Sequence, residues 1–160
     1  MRRQRGMVLL LALVLSVLIG LLASSSLRDA LLQTQAAGQL ASAAQALEQA
    51  EASLVDGAQR LGEAPQAPCL ACPPPRDAHD LRGGEPLWQR GDDGFFLVQH
   101  LGETTRAAHL ADGVRVALYR VTAVSRQVRA RQVLEAVYAL DLEQGGPPHR
   151  LFWRQRLREP

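Results

Sequence analysis

The most reactive side chains in this 160-residue chain are Cys69 and Cys72, the only cysteines, spaced as Cys-x-x-Cys. A zinc site uses such a pair beside a second Cys or His pair, and His79 and His100 do not have that spacing. A dithiol redox centre places it at a helix start, which Pro68 and Pro73 to Pro75 oppose. In an oxidising compartment the pair forms a structural disulfide. The disulfide is preferred; free thiols, metal binding and redox chemistry stay open. A ring this small removes little chain entropy, so its effect is local stiffening.

Other residues offer weaker chemistry. Glu48 and Glu51 stand three apart on a helical stretch, where solvation or salt bridging is the ordinary role. Ser24 to Ser26 has no His or Asp partner pattern. Asp92-Asp93-Gly94 begins like a calcium loop but lacks the later oxygen ligands, and reads as a turn. Arg150, Arg154, Arg156 and Arg158 form a basic strand that could meet DNA or an acidic partner; a solvated face is expected. The four His residues are expected at the surface, and Trp88 and Trp153 in core or rim packing. No catalytic, cofactor or metal residue is assigned, and no enzymatic activity is expected.

The elements that position these residues begin with an apolar run. Met1-Arg-Arg-Gln-Arg-Gly6 is basic and polar, and Met7 to Leu27 contains no charged residue. A bilayer core needs about 20 apolar helical residues, and the run has that length. Arg2, Arg3 and Arg5 keep the N-terminal end cytoplasmic and send the rest outward. Ala23-Ser24-Ser25-Ser26 also fits a signal-peptidase site, which leaves a secreted domain as a rival. Net charge is +2, but residues beyond the first six carry 15 basic against 16 acidic side chains, so nucleic acid is not expected as a partner. Every basic residue is Arg.

Helix-forming Ala, Leu, Gln and Glu then run without Pro to Leu61. Leu40, Ala44, Leu47, Glu51, Leu54, Ala58 and Leu61 mark an expected buried stripe, ended by Gly62 and Pro65. Met7 to Leu61 as one helix would be about 80 Å long. Residues 63–94 read as a Pro/Gly-rich loop region. Phe95–Leu101, Val114–Ser125, Val133–Leu142 and Arg150–Leu157 read as strands. In the third, Leu134, Ala136, Tyr138, Leu140 and Leu142 share one side, and Gly145 to Pro148 form a turn. Helix first and antiparallel sheet of about four strands second gives an α+β fold.

The stretch from Arg5 to Val14, with the Ala-Glu-Ala-rich helix from Gln45 to Leu54, resembles the type IV pilus minor pilins of the PilX family. The match covers about a third of the chain; the head matches in style only. The resemblance implies a pilin-like α+β fold in five parts: a cytoplasmic leader (1–6), the transmembrane half of the helix (7–27), its amphipathic half (28–62), the loop region (63–94) and a β-sheet head (95–160). It also implies cleavage by prepilin peptidase between Gly6 and Met7 and N-methylation of Met7. Leu11 occupies the position of the usual pilin Glu, a departure that fits a subunit at a filament tip.

The implied function is assembly. The chain would be stored in the inner membrane with its head in the periplasm, then join an extracellular type IV pilus, supporting pilus assembly, twitching motility and adhesion. Implied partners are other minor pilins, the major pilin, prepilin peptidase, the inner-membrane assembly platform and the lipid bilayer. A K-type pseudopilin of type II secretion and a non-polymerising single-pass membrane protein with a periplasmic binding head are the rivals.

Overall fold

The computed structural model describes residues 2–63, 67–69, 72–81 and 88–158; the side chains of residues 2–6 are not described. Helix α1 spans Arg2–Gln59 and ends in a 3-10 turn, Arg60–Gly62, whose Arg60 carbonyl accepts from the Glu63 amide. Pro65, expected to help end the helix, lies outside the described residues, as do Gly83, Gly84 and Pro86. The chain divides into two compact units, one ending at Ala41 and the other beginning at Ser42. Up to Ala41 the described side chains are exposed; from Ser42 onward α1 packs on a sheet.

That sheet is an antiparallel meander of five strands in chain order: β1 (Gln89–Arg90), β2 (Gly94–Thr104), β3 (Val116–Ser125), β4 (Val133–Asp141) and β5 (His149–Arg156). The α+β arrangement is the expected one, but the strand count is five. The fifth strand comes from the region read as loop. The Gly91 amide bonds the Gly94 carbonyl across a turn carrying Asp92 and Asp93, which brings Gln89 and Arg90 opposite Phe96 and Phe95. The same region holds a second 3-10 turn at Ala78–Asp80. Strand β4 stops one residue short of expectation, leaving Leu142 44% exposed. The Asp141 carboxylate accepts from the Glu143 and Gln144 amides at 2.8 and 2.9 Å and turns the chain. Those bonds also hold its pKa below the ordinary carboxylate value.

The side of α1 that meets the sheet only partly coincides with the expected stripe. Ala46, Ala50, Ser53, Leu54, Gly57 and Leu61 are buried, whereas Leu40 is 72% exposed and Ala44 and Glu51 face solvent. Leu54 and Leu61 belong to both, and Leu47 and Ala58 of the expected stripe pack against the same cluster while partly exposed. The observed ridge of small residues at 46, 50, 53 and 57 brings the helix backbone close to the sheet. Ala50 and Leu54 pack against Phe96, Val98, Val121, Ala123, Leu134 and Ala136, with Tyr119 and Tyr138 in the same cluster. A smaller cluster of Ala78, Val124 and Val133, flanked by Leu81 and Trp88, lies on the opposite face.

Candidate functional site

Two parts of the molecule carry features beyond those of a packed fold: the apolar start of α1, and a strap that crosses the sheet face turned away from α1. In the first, the large apolar side chains from Met7 to Leu27 are between 48% (Val14) and 73% (Met7) exposed. This is the one helix among the described residues long and apolar enough to cross a membrane. Its hydroxyls need no external partner. Ser16, Ser24, Ser25 and Ser26 each donate to a carbonyl three or four residues back, at 2.8 to 3.1 Å. Turned onto their own backbone, they cost little in a medium without water. Gly6 and Met7 both lie within α1, so the extended form that suits a protease requires local unwinding there. Glycine's poor helix propensity lowers that cost by about 1 kcal/mol. Leu11 is 68% exposed.

The strap begins with Cys69 and Cys72, which are joined by a disulfide with Cα atoms 5.8 Å apart. It is sewn to the sheet through its own carbonyls and one amide. The Cys69 amide donates to His100 O on β2 at 3.1 Å. Arg120 on β3 donates to Cys72 O at 2.6 Å, Arg156 on β5 to Pro75 O at 2.7 Å, and Arg131 to His79 O at 2.6 Å. Three strands and the β3–β4 connection thus hold one irregular segment, and the disulfide contributes little beside them. Replacing both cysteines by Ser is expected to lower stability by at most about 2 kcal/mol, the loop-entropy ceiling for so short a ring. Thermal unfolding with and without reductant measures this; a larger loss would make the bridge the strap's main fastening.

Beneath the strap is a buried charge that the sequence reading did not single out. The Glu135 side chain on β4 is 3% exposed and lies 2.7 Å from Arg154, 3.7 Å from Arg156 and 3.8 Å from Arg120. Only the Arg154 contact has hydrogen-bond length; the other two are ion pairs without a hydrogen bond. Burial lowers the Arg120 pKa from its ordinary value, and Glu135 opposes that shift. The basic strand is therefore not simply a solvated face: Arg154 and Arg156 meet Glu135, and Arg158 pairs with Asp80 at 3.1 Å. The signal was present in the sequence as single charges inside apolar strands, Arg120 after Leu118-Tyr119 and Glu135 between Val133-Leu134 and Ala136-Val137.

No family model matches this chain, nor does any curated protein or solved structure. Its chemistry is therefore judged on geometry. No group of three or more His, Cys, Asp or Glu side chains able to hold a metal stands together among the described residues. Glu48 and Glu51 are exposed on α1. His100 is buried, contrary to the surface placement expected of the four histidines, and stacks on Tyr119 with ring centroids 4.6 Å apart. Burial follows from its place inside β2, where Cys69 also covers it. Trp88 is half-buried in the smaller cluster and Trp153 is 42% exposed. This arrangement can anchor, pack and bind charge.

Proposed function

We propose that this chain is a minor pilin of a type IV pilus. It is held in the inner membrane by Met7 to Leu27 with its sheet head in the periplasm, cut between Gly6 and Met7, and built into a tip or priming complex with other pilins. One observation carries the reading: an exposed, uncharged apolar segment runs, within one helix, into a ridge of small residues packed on an antiparallel sheet. Water penalises that exposed segment by roughly 25 cal/mol per Å² of apolar surface, so it needs lipid or sister helices around it. A segment of one composition serves both, since close helix packing uses small residues such as Gly20 within the apolar run, and Ala36, Ala37 and Gly38 continue that pattern beyond it. A methyl group at Gly20 or Gly38 would meet nothing within 4 Å, leaving both open to a neighbour. Leu11, in place of a carboxylate, suits a subunit with no earlier amine to neutralise.

N-terminal sequencing of the mature protein, purified from membranes and from sheared pili, tests this. N-methylated Met7 is expected. An intact Met1 would mean a plain membrane anchor, and a start near Leu27 a secreted domain; either outcome removes the pilin reading.

A further inference from the structure

We propose that the arginine-lined surface at the end of β5 is a docking site for an acidic segment of a partner protein that also carries aliphatic side chains. Two clefts, of about 370 and 740 Å³, adjoin there and share Arg156 and Leu157. Arg129, Arg131 and Arg158 line the first, and Arg76 and Arg154 the second. With Arg156 that makes six guanidinium groups. The carboxylates set against them are Asp80, already paired with Arg158, and Glu135, buried below.

The positive charge is therefore not cancelled internally. Arg76 and Arg129 are exposed and make no hydrogen bond or ion pair among the described residues. The Arg131 Nε is buried without an acceptor. The field is felt locally: burial, then the Arg158 and Arg156 guanidiniums and that of Arg131, lower the His79 pKa from its ordinary value of 6.5. Adjoining clefts suit a chain bearing repeated charges better than a single ion.

The apolar residues decide the class of partner. Val128 and Leu157 line the first cleft among the arginines and are 75% and 81% exposed. A phosphodiester backbone offers them nothing to bury. A peptide alternating acidic and aliphatic residues satisfies both sets, with carboxylates on the guanidinium forks and side-chain carbons on Val128 and Leu157. This surface lies wholly in the second compact unit, and docking there does not depend on the pilin reading.

The test is fluorescence anisotropy on the full chain in neutral detergent micelles, with a fluorescein-labelled peptide alternating Glu and Leu. Comparators are poly-Glu of equal charge, a Lys-Leu peptide and random-sequence duplex DNA. Saturable binding of the Glu-Leu peptide is expected, with poly-Glu weaker and Lys-Leu absent. Arg76→Glu and Arg129→Glu should each weaken it about tenfold, the scale of one charge-assisted hydrogen bond. Val128→Asn with Leu157→Asn should bring it down to the poly-Glu level. All four positions are exposed, so unchanged thermal unfolding is expected to confirm intact folds. Tighter binding of DNA than of the Glu-Leu peptide, lost in the same variants, would overturn the proposal in favour of nucleic acid. Absence of peptide binding, or affinity unchanged in both arginine variants, would overturn it outright.

Discussion

Glu135→Ala is expected to destabilise the sheet unit by about 3 to 5 kcal/mol, the range for breaking a buried ion pair by removing one partner. The carboxylate is the shared counter-charge for three arginines, and their burial decides how much each loss costs. Arg154 is 47% exposed, and solvent screens most of its share. Arg120 and Arg156 are 16% and 13% exposed; left without a counter-charge they carry the penalty. Both also hold the strap, through Cys72 O and Pro75 O, so displacing either guanidinium loosens the strap. Domains are typically stable by only 5–15 kcal/mol, so the loss is a large fraction of the whole. Urea unfolding of the full chain in micelles, followed by tryptophan fluorescence, measures it, since Trp153 adjoins Arg154 and faces Ala136 across the sheet. Glu135→Gln keeps an acceptor for Arg154 but not the charge, so it should fall between wild type and Ala. If Glu135→Ala unfolds within about 0.5 kcal/mol of wild type, the carboxylate is not the strap's electrostatic anchor.

The layout of the fold was readable because it depends on patterns that survive in one dimension. A charge-free run of helix length and four alternating or β-branched stretches suffice for helix first and sheet second. What was misread depends on pairing across the sheet. Gln89 and Arg90 have no strand signature; they are a strand because a turn at Gly91 to Gly94 sets them beside β2. The α1 stripe was drawn partly off the buried ridge: it held Leu54 and Leu61 but took Ala44 and Glu51 in place of Ala46, Ala50 and Ser53, because an Ala-rich helix offers more than one face of similar composition. Glu135 and the arginines around it are far apart in sequence, and only the β3–β4–β5 register aligns Thr122, Glu135 and Arg154 in one row. Among the site residues, the apolar segment was legible directly, whereas the arginine strip was legible only as far as Arg154, Arg156 and Arg158, which lie together in sequence; Arg150, grouped with them there, lines a different cleft with Glu51 and Tyr138. The strip's other members, Arg76, Arg129 and Arg131, come from the strap and the β3–β4 connection.

Gly94→Ala is expected to cost about 3 kcal/mol, at the upper end for overpacking. A Cβ at Gly94 would collide with the Val124 carbonyl oxygen and stand 2.6 Å from Ser53 Oγ. The first obstacle is strand backbone, near the end of β3, which cannot move without disturbing the β2–β3 ladder. Gly57→Ala poses a contest. Within a helix the change gains about 1 kcal/mol of intrinsic propensity. Against that, the new methyl would sit 2.5 Å from Val121 Cγ1 and 3.2 Å from Phe96 Cδ2, both on fully buried residues with no room to yield. Overpacking by one carbon costs about 1 to 3 kcal/mol, so the net sign is destabilising but smaller than at Gly94. Gly38→Ala is the control, on the same helix with nothing within 4 Å of the added carbon. It should leave the urea midpoint of the sheet unit unchanged. Equal loss at Gly38 and Gly94 would mean that close helix–sheet approach is not what these glycines provide. A bulky Gly38→Leu then separates folding from the assembly role proposed above: the unfolding midpoint stays at wild type, while, on that proposal, incorporation into pili, read by immunoblot of the sheared fraction, falls. Loss of incorporation with an intact head would assign the exposed half of the helix to contact between subunits, and normal incorporation would remove it from that role.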